Sequence, residues 1–420
     1  MKKVLSIVLA IVMILSLSAV FTACVKSETP VAGLICLHGD SSTYDKNFID
    51  AFKAACKAKG LSENQYKIVT DIPEGPECKD NALELADMGC KVVFADSFGH
   101  EPYIIEAAKE ATDVQFCHAT GVQAHTLNLS NYHNAFASIY QGRYLAGVAA
   151  GLKLQEMIDA GELTSANYDE NGNIKLGYVG AYTYAEVVSG YTSWYLGVKS
   201  VVENVVMDVT FTGTWYDEPD EKNAAKLLIA NGAAIISQHA DSMGAPTACN
   251  EAGVPNVSYN GSTAAACPDT FIVSSRINWQ PYFEYMIDCA MNNKAIDTDR
   301  LGTLKDGSVL LTEVGAAAAK GTQAKLDEVK AKLESGELKV FDCSKFTVTV
   351  TDSTNANATV DADGHLTGYK ADTDGDYAGD TNVIRTENGV TFFDESAERS
   401  APYFDVMIDG IKLLNTKFGD

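Results

Sequence analysis

The sequence lacks the short motifs by which many enzymes are recognised. Its 420 residues contain no Walker loop, no Rossmann glycine fingerprint, no nucleophile elbow and no HExxH helix. The seven histidines show no spacing typical of a zinc site. His239 and Asp241 resemble part of a hydrolase dyad, but no serine in an elbow accompanies them. We therefore expect no catalytic residue, no cofactor and no metal, and we interpret His239 and Asp241 as a hydrogen-bonding pair.

Positive charge is also scarce. The chain has 32 lysines and arginines against 56 aspartates and glutamates, which gives a formal net charge of −24. Nucleic acids and anionic lipid surfaces are bound through clustered cations, so this composition argues against both as partners. Hydrophobic residues make up 46% of the chain, which indicates a folded globular protein. A chain of this length exceeds one ordinary core, and we expect two lobes.

Closely spaced cysteines are missing as well. The ten cysteines form no CxxC pair and no metal-ligand spacing. Cys36 in LICLH and Cys117 in VQFCHAT lie inside apolar runs, which indicates buried free thiols. One or two disulfides remain the alternative. Apart from Cys24, the cysteines are Cys36, Cys56, Cys78, Cys90, Cys117, Cys249, Cys267, Cys289 and Cys343.

The first 24 residues have the pattern of an export signal. Lys2 and Lys3 precede the apolar stretch VLSIVLAIVMILSLSAVF, and FTAC places small residues before Cys24. This end resembles the lipobox of bacterial lipoproteins, in which the cysteine is lipidated and becomes the mature N-terminus. We expect a signal peptide over 1–23, a lipid on Cys24, an anchor linker over 24–30 and a location on the outer face of the cell membrane, at the cell surface or in the periplasm. An uncleaved anchor and plain secretion are the alternatives.

From residue 31, apolar runs alternate with helical patterns. VAGLICLH, YKIVTD, KVVFAD and VQFCHAT are typical of strands, and a second series follows the long helical pattern NAFASIYQGRYLAGVAAGLKL. The strand patterns of the second series are GNIKLGYVG, VVMDVTFT, AAIISQH, VPNVSYN and TFIVSSRIN. Continuous apolar strands that alternate with helices predict parallel sheets covered on both faces. The sequence therefore predicts an α/β fold with two doubly wound parallel-sheet lobes.

Polar side chains follow several of these strands. AAIISQHADS at 233–242 begins as a buried strand and ends in hydrogen-bonding side chains. Ligands of open parallel sheets bind beyond the carboxyl ends of the strands, so we expect a binding site at this edge. Similar endings are FADSFGHE, HATG, VGAYTYAE and TGTWYDE. The aromatic residues among them favour a flat ligand, and they are Phe98, Tyr182, Tyr184, Trp215 and Tyr216.

One segment departs from the alternation of strands and helices. Residues 351–381, TDSTNANATVDADGHLTGYKADTDGDYAGDT, are rich in Asp, Thr, Asn and Gly and poor in large apolar groups. We interpret this acidic insert as a hairpin with solvated β-turns, remote from the ligand site. DADGH and DTDGD are similar to calcium loops, but their glycine comes at the fourth position instead of the sixth. Bound calcium is the alternative.

Four longer motifs resemble the basic membrane protein family. They are YQGRYLAGVAAG at 140–151, YVGAYTYAEVVSGYTSWYLGVKSV at 178–201, GTWYDEPDEKNAAKLLIANGAAIISQHADSMGAP at 213–246 and NWQPYFEYMID at 278–288. The resemblance runs from about residue 31 to RSAPYFDVMIDGI at 399–411, without the acidic insert. Members of this family are substrate-binding lipoproteins of ABC importers with the type I periplasmic-binding-protein fold, so the resemblance implies that fold here.

The resemblance also implies a division into lobes and a mode of action. The first lobe would comprise 31–134 and about 279–308, and the second 135–275 and about 315–420, with the insert at about 351–381. A multi-strand hinge would cross between them near 124–134, 274–279 and 308–315. The lobes would close like a clamshell on a purine nucleobase or nucleoside. The permease and ATPase of an ABC importer are the implied partners, and we expect a monomer.

The family pattern further implies the ligand contacts. Tyr44 in STYDKNF stands where the family places an aromatic ring against the base, with Asp45 and Asn47 as polar neighbours. Phe98 and Trp215 are candidate walls of the site. With the candidate hydrogen-bonding groups added, the expected ligand-binding residues are Tyr44, Asp45, Asn47, Phe98, Tyr182, Glu186, Trp215, His239, Asp241, Asn260 and Trp279.

Two stretches depart from the nucleoside-binding branch of the family. That branch grips ribose with an aspartate and a lysine, whereas VSYNGS offers Asn260, and SSRINWQ offers Arg276 and Trp279. A branch with NWGPY-like residues, which takes free adenine-type bases, is more similar to this chain. We therefore expect a base to bind better than its nucleoside. The alternatives are a binding protein for a sugar or a flavin, a sensor, and a surface enzyme that acts on nucleosides.

Overall fold

A computed structural model describes residues 29–376 and 378–418 of the chain. The expected signal peptide over 1–23 and the expected lipid site at Cys24 lie outside these residues. None of the helices within the described ranges combines the length and the apolar character that a membrane span requires. Nine cysteines lie in the described part, and all nine are buried free thiols, as expected.

Five parallel strands begin the first lobe. They are β1 (Ala32–Ile35), β2 (Tyr66–Val69), β3 (Val92–Ala95), β4 (Gln115–Ala119) and β5 (Tyr132–Ala137). The helices between them are α1 (Thr43–Ala58), α2 (Pro76–Asp87), α3 (Glu101–Glu110) and the short α4 (Ala124–Leu127). Every residue of β1 and β3 is buried. Strands that are apolar on both faces form a sheet that helices cover on both sides, which accounts for the alternation along the sequence.

The second lobe repeats this construction. It contains α5 (Ile139–Ala160), β6 (Ile174–Gly180), α6 (Ala185–Lys199), β7 (Val205–Phe211), α7 (Glu218–Ala230), β8 (Ile236–His239), α8 (Gly244–Ala252), β9 (Asn256–Tyr259) and β10 (Phe271–Ile277). Helices α5 and α6 approach closely at a glycine, because a Cβ on Gly147 would lie 2.1 Å from the carbonyl oxygen of Trp194. A residue with a side chain would force the two helices apart.

The chain returns once to each lobe. Helix α9 (Gln280–Asn292) and strand β11 (Asp299–Gly302) belong to the first lobe, and β12 (Val309–Leu311) belongs to the second. The first sheet has the order β11-β5-β4-β3-β1-β2, and all its pairs are parallel. In the second sheet the order is β12-β10-β9-β8-β6-β7, and only the pair of β12 with β10 is antiparallel. The predicted fold, with two lobes built on parallel sheets, is confirmed.

Three short segments connect the two sheets. They lie at residue 138, at 278–279 and at 303–308. The second falls within the predicted hinge segment 274–279, but the other two differ from prediction. Residues 124–134 stay in the first lobe, because β5 continues to Ala137 and pairs there with β11. The segment predicted at 308–315 contains β12, which pairs with β10 inside the second lobe. The pairs β5 with β11 and β12 with β10 join strands that are far apart in sequence, and such pairing leaves no local sequence pattern. The predicted hinge bounds therefore differ from the observed crossings.

The remainder of the chain packs mainly on the second lobe. It contains α10 (Thr322–Ser335), β13 (Ala358–Val360), β14 (Leu366–Ala371), β15 (Thr381–Asn382), β16 (Ile384–Glu387), β17 (Val390–Phe393) and β18 (Ile411–Leu413). Strand β18 completes the second sheet by pairing in parallel with β7. Phe341 stacks on Tyr140 of α5 at 5.3 Å and on Phe404 at 4.1 Å between ring centroids. These buried rings hold the C-terminal part against α5.

The acidic insert forms the expected hairpin but does not stand free of the first lobe. Strands β13 and β14 are antiparallel, and β15 pairs with β14. Beyond β14, Gly375 lies so close to Val122 that a Cβ there would stand 2.6 Å from Val122 Cγ2. Asp372 Oδ1 accepts the backbone N–H of Gly375 at 2.8 Å, as expected of a β-turn. Oxygens of Asp372, Asp374 and Asp376 lie within 4.8 Å of one another, so bound calcium stays the alternative.

The two lobes contact each other directly where the carboxyl ends of their parallel strands face one another. The main-chain oxygen of Asp241 accepts the backbone N–H of Thr43 at 2.9 Å and its Oγ1 at 3.1 Å. Two ring pairs also join the lobes. The centroids of Phe98 and Tyr184 are 5.2 Å apart, and those of His38 and Tyr216 are 5.4 Å apart. The lobes are therefore in a closed arrangement.

Replacing Thr43 by proline should weaken this closed arrangement without harming α1. Thr43 is the first helical residue, where proline is favoured, and Ser42 has φ −80 and ψ 129, which suit a residue before proline. Thr43→Pro removes both hydrogen bonds to Asp241, worth about 0.5–1.5 kcal/mol each, and we expect a larger radius of gyration by small-angle X-ray scattering. Thr43→Val keeps the N–H donor and should lie between wild type and Thr43→Pro. Equal radii for all three proteins would contradict a closure that depends on these bonds.

Candidate functional site

A cavity lies between the facing edges of the two sheets, with about 350 Å³ of empty space that is partly open to solvent. The first lobe contributes residues that follow β1, β3 and β4 or lie in the first turn of α1. The second lobe contributes residues at the carboxyl ends of β8 and β9 and in the segments after β6 and β7. The lining residues are Leu37, Tyr44, Asp45, Ser97, Phe98, Thr120, Glu186, Trp215, His239, Asp241 and Tyr259. The cavity is therefore at the edge where open parallel sheets bind their ligands.

Aromatic rings form much of its wall. On the first lobe, the hydroxyl of Tyr44 donates to the main-chain oxygen of Asp96 at 2.7 Å, which fixes the ring. On the second lobe, Trp215 packs edge-on against Tyr182 at 5.2 Å, and Tyr182 stacks on Tyr184 at 5.0 Å. Rings held by neighbouring rings keep their faces in place, which suits a flat partner.

His239 forms a polar pair with Glu186 on the second lobe, and not with Asp241 as predicted. His239 Nε2 lies 3.3 Å from Glu186 Oε1, and His239 is buried. Burial lowers the pKa of His239 and outweighs the opposite effect of Glu186, so the imidazole is neutral at physiological pH. A carboxylate can only accept, and Nε2 therefore carries the proton of the neutral ring. Glu186 keeps its remaining acceptor capacity for a ligand.

A buried arginine supports Tyr259, the lining residue at the end of β9. Arg143 of α5 is fully buried and donates to Ser237 Oγ at 2.6 Å and to the hydroxyl of Tyr178 at 3.0 Å. Its guanidinium lies 5.4 Å from the centroid of the Tyr259 ring. The hydroxyl of Tyr259 is buried and has no hydrogen-bond partner in the protein. Because an unpaired buried hydroxyl is costly, Tyr259 is suited to pair with a ligand.

The charged groups that line the cavity are carboxyl groups. Asp45 comes from the first lobe, and Glu186 and Asp241 come from the second. Burial raises the pKa of Asp241 well above its usual range, and Asp45, Glu221 and Glu186 raise it further. No lysine or arginine belongs to the lining among the described residues. The cavity therefore suits a ligand that donates hydrogen bonds and carries no negative charge.

Three glutamates hold the loops that carry these groups. Glu74 accepts Ser97 Oγ at 2.6 Å and the N–H of Gly99 at 2.7 Å. Glu101 accepts the N–H of Val122, two residues after the lining residue Thr120, at 2.7 Å. Glu221 accepts the N–H of Ser242 at 3.2 Å, and burial raises the pKa of Glu221 to about 7. No pattern in the sequence predicts these three contacts, because a glutamate that binds a distant main chain leaves no local signal.

Seven of the eleven predicted residues line the cavity: Tyr44, Asp45, Phe98, Glu186, Trp215, His239 and Asp241. Four do not. Tyr182 supports Trp215 from behind. Asn47 Nδ2 donates to the main-chain oxygen of Ile277 at 2.7 Å, beside the second crossing. Asn260 has φ 60, which turns the chain away from the line of β9. Trp279 lies in the core of the first lobe, stacked on Phe48 at 4.5 Å.

Four lining residues were not predicted, namely Leu37, Ser97, Thr120 and Tyr259. Each lies within two residues of the end of a strand, and Ser97 and Thr120 belong to the polar endings FADSFGHE and HATG. Tyr259 stands next to Asn260, which was predicted to bind the ligand. Successive side chains of a strand point to opposite faces, so the choice of neighbour decides which residue meets the cavity.

Curated proteins and solved structures resemble the chain over most of its length. A purine-binding protein of Brucella abortus is 28% identical over 271 residues, which cover 64% of this chain and 71% of that protein. A putative ABC transporter glucose-binding protein of Haloferax volcanii is 26% identical over 295 residues, 69% of this chain and 70% of that protein. Both matches span more than two thirds of the relative.

Solved structures share the fold. An ABC transporter solute-binding protein from Conexibacter woesei aligns with a TM-score of 0.58 and 21% identity, covering 74% of this chain and 98% of that one. A solute-binding protein from Aeropyrum pernix aligns with a TM-score of 0.61 and 15% identity, covering 77% and 95%. Residues 40–343 match the Bmp family, which is described as ABC transporter substrate-binding protein PnrA-like. The chain therefore belongs to the Bmp family of ABC transporter substrate-binding proteins.

Proposed function

We propose that this member of the family captures a purine base between its lobes and delivers it to an ABC importer. The observation that carries the proposal is the cavity itself, which combines aromatic faces from both lobes with three carboxyl groups. A purine base has two flat faces for the rings and N–H groups at its edge for the carboxyl oxygens. The purine-binding relative from Brucella abortus supports the same class of ligand.

The proposed roles divide between the lobes. Tyr44 and Phe98 on the first lobe and Trp215 on the second would enclose the ring. Asp45 would accept N–H groups on one side, and Glu186 and Asp241 on the other. Because the ligand then touches both lobes, it binds the closed arrangement much better than the open one and drives closure. This argues against an enzyme, since all these groups hold the ligand and none is arranged as a nucleophile with its base.

One observation favours a base over its nucleoside. Asn260, at the position where a ribose-binding carboxylate was expected from the family pattern, does not line the cavity. Trp279 favours neither the base nor the nucleoside, because it lies in the core of the first lobe.

A sugar is the second candidate. The glucose-binding relative from Haloferax volcanii matches the chain nearly as well as the purine-binding one. Aromatic faces and carboxylates also bind sugar rings, through apolar faces and hydroxyl donors. The number of rings around this cavity favours a base, because a sugar has no aromatic face of its own.

Calorimetric titration with adenine, hypoxanthine, guanine, their nucleosides and glucose tests the proposed ligand class. We expect a base to bind best and Trp215→Ala to weaken it about tenfold, equivalent to about 1.4 kcal/mol, because a stacking face is lost. Tyr168→Ala, on the half-exposed turn before β6, is the matched control and should bind like wild type. A nucleoside that binds tenfold better than every base would overturn the base preference, and glucose as the tightest ligand would favour the sugar candidate.

We also propose that Cys24 carries a lipid and holds the protein at the outer face of the membrane, as a monomer that delivers its ligand to the permease. The pattern FTAC after an apolar stretch supports this. We expect Cys24→Ala to release the protein into the medium or leave it unprocessed, because the acyl anchor retains it. Fractionation followed by mass spectrometry of the N-terminus measures both. A cleaved variant that stays in the membrane fraction would contradict lipid anchoring.

A further inference from the structure

A second carboxyl group, that of Asp96, lies next to the lining residue Asp45. Asp96, the residue after β3, is fully buried, and Asp45 is 1% exposed. One oxygen of each carboxyl group and the Cys36 sulfur all lie within 4.8 Å of one another. Asp96 does not line the cavity, and nothing in the proposed ligand contacts requires it.

The main chain after β1 fixes one oxygen of each carboxyl group. Asp45 Oδ1 accepts the N–H of His38 at 2.7 Å, and Asp96 Oδ1 accepts the N–H of Leu37 at 3.2 Å. The other oxygens, Asp45 Oδ2 and Asp96 Oδ2, are buried and have no hydrogen-bond partner. One hydrogen between these two unpaired oxygens would give both buried carboxyl groups a hydrogen-bond partner.

Within the described part of the chain, no cation balances these two groups. The titratable groups that face Asp96 are Cys36 on β1, Tyr44 and Asp45 on α1, and Cys78 on α2. Asp40 acts on Cys36, and Asp241 faces Asp45 across the cleft. All of these are acids. In the described parts of the chain, neither Asp45 nor Asp96 takes part in an ion pair. Two unpaired buried anions at this separation repel strongly.

The local structure decides which of the two carries the hydrogen. Asp45 lies in the first turn of α1, whose N-terminal end favours a negative charge. Asp96 precedes the short 3₁₀ turn Phe98–His100 that leads into α3, but it lies outside that turn and is fully buried. The charge therefore belongs on Asp45, next to the cavity, and the hydrogen on Asp96.

We propose that Asp45 and Asp96 share one proton, carried by Asp96, and that Asp96 is a positioning residue that holds the Asp45 carboxylate at the cavity wall. The link to ligand affinity rests on the proposed function. Burial, followed by the charge of Asp45, raises the pKa of Asp96 well above its usual range. A raised pKa gives the folded protein a stability that is complete below the ordinary aspartate pKa of about 4 and is lost as pH rises through the raised pKa.

The test compares wild type with Asp96→Asn, Asp96→Ala and the control Asp50→Asn, which removes an exposed carboxylate from α1. Asparagine keeps an acceptor for Leu37 and supplies a permanent N–H donor to Asp45. Thermal midpoints are measured without ligand from about pH 5 to about pH 9. We expect the midpoint of wild type and of Asp50→Asn to fall with rising pH relative to Asp96→Asn, whose profile lacks the Asp96 titration.

Adenine affinity is measured over the same pH range as a second readout. We expect Asp96→Asn to match the low-pH affinity of wild type and to keep it at high pH, where wild type loses about tenfold. Asp96→Ala should bind weakly at every pH, because nothing holds the Asp45 oxygen. Rescue by Asn but not by Ala distinguishes positioning from a general loss of stability.

The outcomes separate the two proposals. If adenine binds to no variant while the ligand-free profiles differ as expected, the shared proton stands and the purine assignment fails. Identical ligand-free profiles for wild type and Asp96→Asn would overturn the shared proton. One equivalent of zinc retained by purified wild type and lost from Asp96→Asn would also overturn it, because a metal ion would then take the place of the proton.

Discussion

One main-chain oxygen, that of Asp241, accepts both hydrogen bonds that Thr43 donates across the cleft. This contact places the carboxyl edge of one parallel sheet against the carboxyl edge of the other. Every group that lines the cavity depends on that arrangement, because the lining consists of residues at strand ends and in the segments that follow them. Both partners belong to or adjoin the lining, since the side chain of Asp241 lines the cavity and Thr43 precedes the lining residue Tyr44. Closure and ligand contact are therefore made by the same short segments.

In this site, main-chain amides and neutral acids stabilise the carboxyl groups more than cations do. Glu74, Glu101 and Glu221 each bind amides of a loop that reaches the cavity. A hydrogen bond from a main-chain amide fixes both the loop that carries the amide and the carboxylate that accepts it. A lysine or arginine in the cavity would instead compete with a ligand for the carboxylate oxygens. The buried cation near the site, Arg143, lies behind the wall among hydroxyls and carbonyls. Acceptors thus remain free on the cavity side, which is the basis for assigning a ligand rich in N–H donors.

Sequence reasoning located the edge of the sheet but not every residue on it. Strand-to-helix alternation predicted the fold because strands such as β1 and β3 are apolar on both faces, and the polar strand ends predicted where the cavity lies. Asn260 was predicted to bind the ligand because the family pattern has a polar residue there, whereas the structure places its neighbour Tyr259 in the cavity wall. Trp279 was expected to meet the ligand, but it stacks on Phe48 in the core. The contact of Gly375 with Val122 was also unpredictable, since it joins segments remote in sequence.

The central claim is that a ligand lies between the lobes and touches both. A crystal structure of the protein grown with adenine tests it most directly. The account predicts electron density for the base in the cavity, with Tyr44 and Asp45 on one side and Trp215 and Asp241 on the other. Adenine bound to residues of one lobe alone, or at the crossings near Trp279 instead of the cleft, would contradict it.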